Sequence, residues 1–127
     1  MAEAAAALEG AGIPCPGELA AEDGSIGRPE RVTETLWRHL RPGDRLAVCG
    51  PWAMTEGVAR VCAAVPHVAA WYSLEAGMAC GVGACHGCVV SLADGGTARV
   101  CREGPVFPAE TLFARGCFTG GTEGGEA

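Results

Sequence analysis

The first half of the chain alternates between apolar residues at helical spacing and short continuous apolar runs. Between Arg31 and Leu40 the apolar positions recur at i, i+4, i+5 and i+8, which indicates a helix. A second helical pattern begins at Trp52 and ends at Val65, before a proline. Apolar runs at 45–49 and 67–74 are typical of buried strands. This order predicts an α/β layer built on a parallel sheet.

The two ends of the chain carry weaker patterns. The alanine-rich stretch from Ala2 to Glu9 predicts a short helix, and we expect a short strand at Glu18–Ala21. The last nine residues are polar and rich in glycine. Because such a composition cannot bury a core, we expect residues 114–127 to form a flexible tail.

The second half changes to a glycine-rich loop followed by two short segments around Asp94-Gly95. An Asp-Gly pair between two strand-like segments is a strong signal for a two-residue hairpin turn. Directly opposed residues of a hairpin lie on one face, with Cβ atoms about 5 Å apart. This turn predicts three opposed pairs: Cys88 with Cys101, Val89 with Val100, and Val90 with Arg99.

Four of the eight cysteines lie in this second half, with the spacing C-x4-C-x2-C-x12-C: Cys80, Cys85, Cys88 and Cys101. A [2Fe–2S] cluster needs four thiolates around a compact core, and the two spacings between the first three cysteines are those of plant-type ligation. The glycines between the first three cysteines let the backbone wrap closely and aim N–H groups at sulfur. The spacing therefore predicts a [2Fe–2S] cluster held by these four cysteines.

Two other interpretations of clustered cysteines stay open. Structural zinc usually takes its ligands as two short pairs, and three thiols in one nine-residue loop fit that pattern poorly. Disulfides are rare in a reducing cytoplasm. His86 lies between two of the cysteines, and we expect it to face solvent, because a Rieske site needs two histidine ligands.

Composition narrows the classes of function. Of the 127 residues 49% are apolar but only 6% aromatic, so we expect a core of alanine, valine and leucine. The net charge is -6, and no basic stripe indicates a nucleic-acid binder. No apolar run approaches the ~20 residues that span a bilayer. The first residues lack the basic segment of a signal peptide, so we expect a cytoplasmic protein.

The other four cysteines give weaker signals. Cys49 ends a predicted strand just before Gly50-Pro51, and ligands of open α/β sheets bind beyond the carboxyl ends of strands. Taken alone, Cys49 is better explained as a core residue. The sequence assigns no role to Cys15, Cys62 or Cys117.

Two motifs around these cysteines resemble a known family. Residues 73–88 read S-L-E-x-x-M-A-C-G-V-G-A-C-x-G-C, and residues 99–107 read R-V-C-x-x-G-P-V-F. Both are similar to the C-terminal part of the dihydroorotate dehydrogenase electron-transfer subunit, a member of the ferredoxin–NADP reductase superfamily. Upstream, V-C-G-P at 48–51 and D-G-S-x-G at 23–27 are similar to the second half of its nicotinamide-binding domain. The resemblance covers about residues 13–113.

The resemblance implies a fold and a mechanism. Residues 1–74 would form part of a nicotinamide-binding α/β domain, and residues 75–113 a loop-plus-hairpin [2Fe–2S] domain. NADH would give a hydride to FAD, and the cluster would pass single electrons to the flavin of a catalytic subunit that oxidises dihydroorotate in pyrimidine biosynthesis. When the flow runs the other way, NAD would be the final acceptor. The family assembles as a heterotetramer of two catalytic and two electron-transfer subunits.

The resemblance also assigns residues to the nucleotide. Cys49, Gly50 and Pro51 match the loop beside the nicotinamide, and Asp23 falls at the adenosine end. A carboxylate there would favour NADH over NADPH, although an Asp-Gly turn explains the same residue equally well.

The family's flavin-binding barrel and its glycine-rich pyrophosphate turn have no counterpart in this sequence. We therefore expect the chain to correspond to the C-terminal half of such a subunit, with incomplete sites for FAD and NAD and no catalysis on its own. A stand-alone ferredoxin-like carrier and a zinc-stabilised interaction domain are the alternative functions.

Overall fold

The computed structural model describes residues 17–114 and 117–118. The helix predicted at 2–9, Cys15 and residues 119–127 of the predicted tail lie outside the described residues. The chain divides into two compact units, Met1–Thr35 and Leu36–Ala127.

Residues 19–28 of the first unit form a bridged turn. Where a short strand is expected, a single parallel bridge joins Ala20 to Arg28. The Arg28 N–H donates to the Leu19 carbonyl at 2.9 Å. Gly27 has a φ of +63°, and a Cβ there would lie 1.8 Å from the Leu19 carbonyl oxygen. Only glycine fits this close approach, so a turn replaces the expected strand.

Helix α1 spans Val32–His39, inside the predicted range. Its residue Leu36 packs against the core of the second unit, and Leu40, which follows the helix, is buried. The remaining elements, in chain order, are β1 (Arg45–Cys49), α2 (Trp52–Ala63), β2 (Ala69–Ser73), β3 (Val89–Ser91), β4 (Thr97–Arg99), β5 (Val106–Pro108), α3 (Ala109–Leu112), β6 (Phe113–Ala114) and β7 (Cys117–Phe118).

Strands β1, β2 and β5 form one mixed sheet in the order β1-β2-β5. The pair β1–β2 is parallel, with Arg45 beside Ala69 and Cys49 beside Ser73, which confirms the predicted α/β class. Strand β5 adds antiparallel to β2, with Phe107 opposite Tyr72. The sequence did not predict β5, which comes from beyond the cysteine-rich loop and completes the sheet.

One hydrophobic core unites the sheet, helix α2 and the β3–β4 hairpin. Tyr72 and Val100 are completely buried, and the Tyr72 ring meets Phe113 edge to face, with ring centroids 4.9 Å apart. The hairpin turn is tied to α3, because the Ala93 N–H donates to the Thr111 carbonyl at 2.9 Å. The cysteine-rich segment is thus packed on the α/β layer.

The hairpin register differs by one residue from the prediction. The observed pairs are Val89 with Arg99, Val90 with Ala98, and Ser91 with Thr97. The predicted pairs Val89–Val100 and Val90–Arg99 are therefore wrong.

A three-residue turn explains the shift. The Gly95 N–H donates to the Leu92 carbonyl at 3.0 Å, and the Leu92 N–H donates to the Gly96 carbonyl at 2.9 Å. Gly95 alone takes a positive φ, of +85°, whereas the two-residue type I′ turn would require one at Asp94 as well. The Asp94 carboxylate instead accepts the Gly96 N–H at 2.8 Å, which stabilises the longer turn.

None of the helices in the described part of the chain has the length and apolarity needed to cross a membrane.

Candidate metal centre

The cysteine-rich segment leaves the sheet after β2 and returns to it at β5. Its two ends are joined where the Leu74 N–H donates to the Pro105 carbonyl at 3.0 Å. Within it, Cys80, Cys85 and Cys88 lie on the loop before β3, and Cys101 lies on a turn after β4. The sheet therefore anchors both ends of the segment that carries the four predicted ligands.

The loop surrounds its sulfur atoms with backbone donors. The Cys85 N–H points at the Cys80 Sγ, and the Gly87 N–H at the Cys85 Sγ, each at 3.4 Å. Gly81 and Gly83 have positive φ values, +66° and +80°. Such a backbone turns successive N–H groups inward and stabilises negative charge on sulfur.

Cys88 and Cys101 form a second sulfur pair. The Cys101 N–H points at the Cys88 Sγ at 3.5 Å, and the Val100 N–H donates to the Cys88 carbonyl at 3.0 Å. The two cysteines are not directly opposed as predicted. Instead, the chain leaves β4 at Arg99 in a helical turn, in which the Arg99 carbonyl accepts the N–H of Arg102 at 3.0 Å. That turn returns Cys101 to Cys88 despite the shifted register.

These contacts shift the pKa values of Cys80, Cys88 and Cys101 in different directions. The N–H of Cys85, followed by that of Val82 and by the Cys85 thiol, lowers the pKa of Cys80 to about 6. The N–H and thiol of Cys101 lower the pKa of Cys88. The pKa of Cys101 is raised, first by its hydrogen bond with the Cys88 thiol and then by burial. Each pair therefore contains one thiol that ionises readily, as metal ligation requires.

The pairing suits a binuclear cluster better than a single ion. Structural zinc takes four ligands on one ion, whereas a [2Fe–2S] cluster takes two ligands on each of two irons. Thiols in contact as Cys80 with Cys85 and as Cys88 with Cys101 fit the second arrangement.

One side of the site opens to solvent. Cys88 is buried and Cys85 is exposed. Val82, between the first two cysteines, is 70% exposed, and Met78 is 53% exposed. Exposed apolar side chains beside a ligand site are suited to a transient protein contact.

The structure adds one pair of residues that the sequence did not single out. The Arg99 guanidinium binds both oxygens of the Glu103 carboxylate and also donates to the Gly83 carbonyl at 2.9 Å. The side-chain hydrogen bond from Arg99 is the main reason that the pKa of Glu103 falls to about 2. Spacing of i and i+4 was the only sequence signal for this pair.

The predicted nicotinamide residues lie at one end of the sheet. Cys49 is exposed at the carboxyl end of β1, beside Ser73 of β2. Gly50 and Pro51 lead directly into helix α2, and the Thr55 hydroxyl donates to the Pro51 carbonyl at 3.3 Å. This is the edge of an α/β sheet at which ligands bind.

Asp23 belongs to the other compact unit, Met1–Thr35. Its carboxylate accepts the Ser25 N–H at 2.9 Å, and Gly24 has a φ of +69°. Hydrogen bonds with the side chain and backbone of Ser25 lower the pKa of Asp23. The carboxylate therefore stabilises its own turn, which is the second of the two roles considered for it.

Cys62 lies on helix α2, away from the four paired cysteines along the chain, and is half-buried. Burial is the main cause that raises its pKa. These surroundings are those of a core residue.

Residues 75–113 match a family model described as the iron-sulfur cluster binding domain of dihydroorotate dehydrogenase B. All four paired cysteines lie within these residues.

Curated relatives carry the name of the electron transfer subunit of dihydroorotate dehydrogenase B (NAD(+)). The Listeria welshimeri subunit is 40% identical over 96 residues, which cover 74% of this chain and 37% of that protein. The Aquifex aeolicus homolog of the subunit is 42% identical over 98 residues, 77% of this chain and 38% of that protein. The Clostridium acetobutylicum subunit is 40% identical over 98 residues, 76% and 37% of the two chains. The chain thus spans less than two fifths of the length of these relatives.

A solved structure is also similar to this chain. The protein matches one chain of an NADH-dependent reduced ferredoxin-NADP oxidoreductase, a structure that gave insights into flavin-based electron bifurcation. The TM-score is 0.57 and the sequence identity is 30%. The match covers 70% of this chain and 32% of that chain. Residues 75–113 are thus similar to the iron–sulfur cluster binding domain of dihydroorotate dehydrogenase B, which confirms the resemblance inferred from the cysteine motif.

Proposed function

We propose that this chain is an electron-transfer component in which Cys80, Cys85, Cys88 and Cys101 hold a [2Fe–2S] cluster. The observation that carries the proposal is the arrangement of these thiols in two pairs, with backbone N–H groups directed at three of the four sulfur atoms. When bound, the cluster would accept and donate one electron at a time.

We further propose that the electrons pass between an NADH- and FAD-containing module and the catalytic subunit of a dihydroorotate dehydrogenase. In this proposal residues 75–113 are the cluster domain and residues 1–74 are part of a nicotinamide-binding domain. The relatives' names as electron transfer subunits of dihydroorotate dehydrogenase B support this assignment. A heterotetramer of two catalytic and two electron-transfer subunits is the assembly that follows from the family.

The path between nucleotide and cluster has support in the sheet. Cys49, Gly50 and Pro51 would lie beside the nicotinamide, and Cys49 is the β1 neighbour of Ser73. The family-matched segment begins two residues after Ser73. The proposed nucleotide edge and the start of the cluster segment therefore lie at the same end of the sheet. Asp23 would meet the adenosine end, a role that competes with its own turn.

Two alternatives make different predictions. A zinc-stabilised interaction domain would carry one zinc ion per chain and no absorption in the visible range. A stand-alone ferredoxin-like carrier would hold the cluster but would not accept electrons from NADH through a flavin module. The parallel β1–β2 pair, with its Cys-Gly-Pro strand end, favours the nucleotide-linked subunit over this carrier.

A serine series on anaerobically loaded protein tests the ligand set. We expect Cys80→Ser, Cys85→Ser, Cys88→Ser and Cys101→Ser each to lose most bound iron and acid-labile sulfide. Cys62→Ser and Cys49→Ser serve as matched controls and should keep both. The proposal is wrong if the four variants bind as much iron as the two controls.

A second arm tests the electron path. The loaded chain is mixed with an FAD-containing module of a related subunit, and NADH is added without oxygen. Bleaching of the visible absorption that requires both NADH and the flavin module supports the proposal. A cluster that dithionite reduces but that NADH with the flavin module leaves oxidised would favour the stand-alone carrier.

A further inference from the structure

The four cysteines come from two separate pieces of backbone. Three lie on the loop 80–88, and Cys101 lies on the turn that follows β4. A cluster bound by all four needs both pieces to stay in register. The contacts between loop and turn are therefore as important to cluster retention as the ligands themselves.

Arg99 makes such a contact with an unusually constrained side chain. Its Nη1 donates to the Gly83 carbonyl at 2.9 Å, in the middle of the loop. Its Nε donates to one Glu103 oxygen at 3.1 Å, and its Nη2 binds the other oxygen. Since guanidinium is planar, these three contacts fix its orientation.

Glu103 is held in turn by the backbone. The oxygen that accepts the Arg99 Nε also accepts the Arg99 backbone N–H, at 2.7 Å. The Arg99 carbonyl accepts the Glu103 N–H at 2.9 Å. Glu103 therefore belongs rigidly to the turn that carries Cys101, and it orients Arg99 toward the loop.

The loop also passes close to these side chains. A Cβ built on Gly83 would lie 3.0 Å from the Cδ of Arg102 and 3.4 Å from the Nη1 of Arg99. The Arg99 side chain is only 26% exposed. A hydrogen bond shielded in this way is stronger than one between freely solvated groups.

We propose that Arg99, oriented by Glu103, is a positioning residue that holds the 80–88 loop against the Cys101 turn and so slows loss of the cluster. The role rests on the proposed cluster, whose ligands would be the cysteines and not Arg99. Its guanidinium, which donates to the Gly83 carbonyl in the loop that carries three of the cysteines, also places a positive charge beside the proposed site. That charge favours the reduced, more negative cluster, so Arg99 raises the reduction potential.

The test measures iron transfer from the loaded chain to a chelator. A hydrogen bond to a charged group is strong enough to change an opening equilibrium about tenfold. We expect Arg99→Gln to speed iron release by about that factor. Arg99→Lys should speed it too, because an ammonium lacks the planar fork that binds both Glu103 oxygens and the Gly83 carbonyl together. Glu103→Gln, which weakens the orientation of Arg99, should give a smaller acceleration.

Two control variants distinguish the positioning role of Arg99 from the effect of its positive charge. Arg60→Gln removes another i,i+4 arginine–glutamate pair, on helix α2, and should leave the release rate unchanged. Arg102→Gln removes a positive charge from the same turn but keeps the Cβ and Cδ atoms that pack at Gly83, and it leaves the hydrogen bond to the Gly83 carbonyl in place. It should change the reduction potential and not the release rate. Arg99→Lys should keep most of the potential of the unchanged chain.

Hydrogen exchange of the loop amides gives a readout that needs no iron. In the cluster-free chain, residues 81–87 should exchange faster in Arg99→Gln than in Arg60→Gln. Equal exchange and equal iron release in these two variants would overturn the positioning role. A chain that takes up no iron but shows the difference in exchange would contradict the proposed function and leave the loop contact supported.

Discussion

Gly104 lies where the Cys101 turn meets the core, and its replacement tests how tightly the two are packed. A Cβ built on Gly104 would lie 2.5 Å from Cε2 and 2.8 Å from Cζ of the Phe107 ring, and 3.1 Å from the Val100 carbonyl oxygen. Phe107 is buried in β5 and Val100 is completely buried. Neither neighbour can move without disturbing the sheet or the turn.

The magnitude follows from overpacking. Forcing one extra methyl group into a packed core costs about 1–3 kcal/mol. We therefore expect Gly104→Ala to lower the free energy of unfolding by about that amount and to accelerate loss of a bound cluster, because the methyl group displaces the turn beside Cys101. Gly77→Ala is the matched control on the other side of the loop, since a Cβ there would meet nothing within 4 Å.

Urea unfolding of the reduced chain, monitored by tryptophan fluorescence, measures the free energy of unfolding of both variants. Gly77→Ala should be neutral or slightly stabilising, because it restricts the unfolded chain. Adding Phe107→Leu to Gly104→Ala should recover part of the loss, since a smaller side chain vacates the space that the methyl group needs. Equal midpoints for Gly104→Ala and Gly77→Ala would refute the packing described at this junction.

Two further predictions concern the hairpin and its ion pair. Gly95→Ala should lower the free energy of unfolding in urea by about 1–2 kcal/mol, and Gly95→Asn by less, because only the positive φ opposes a side chain there. Equal stability of Gly95→Ala and the unchanged chain would contradict the three-residue turn. Glu103 has its pKa lowered from 4.5 to about 2 by Arg99, so its ionised form stabilises the fold above pH 4.5 and that contribution is lost as the pH falls toward 2. The urea midpoint of the unchanged chain should therefore exceed that of Glu103→Gln at pH 6, and the two should converge near pH 2; a constant difference would argue against the ion pair.

The strands of the parallel pair could be predicted because local pattern determines them. The run at 45–49 is apolar, bounded by Asp44 and Gly50, and β1 has those bounds. The second run is shorter in the structure than in the prediction, since β2 begins at Ala69. His67 explains the difference, because its φ of +61° is incompatible with a strand.

Strand β5 could not be predicted from its own residues. It has three residues and ends in Pro108, which lacks an N–H and is normally an argument against a strand. Proline is tolerated at this position because β5 is the edge of the sheet. Only the return of the cysteine-rich segment to β2 makes it a strand.

The candidate site likewise contains residues that the sequence predicts and contacts that it does not. The cysteine spacing predicts the four thiols as ligands, because cluster ligation fixes spacing along the loop, and the structure places them in two pairs. The route by which Cys101 reaches Cys88 was not predictable, since it depends on the Asp94 carboxylate and on the turn after Arg99. The contact of Arg99 with Gly83 joins residues 16 positions apart and appears only once the loop is folded.

The most direct test of the account is the metal bound by the anaerobically loaded chain, counted together with acid-labile sulfide and examined by EPR after reduction. We predict about two irons and two sulfides per chain, no stoichiometric zinc, and a rhombic S = ½ signal from one-electron reduction. A colourless chain with one zinc ion and no EPR signal would contradict the central claim that the two cysteine pairs hold a [2Fe–2S] cluster.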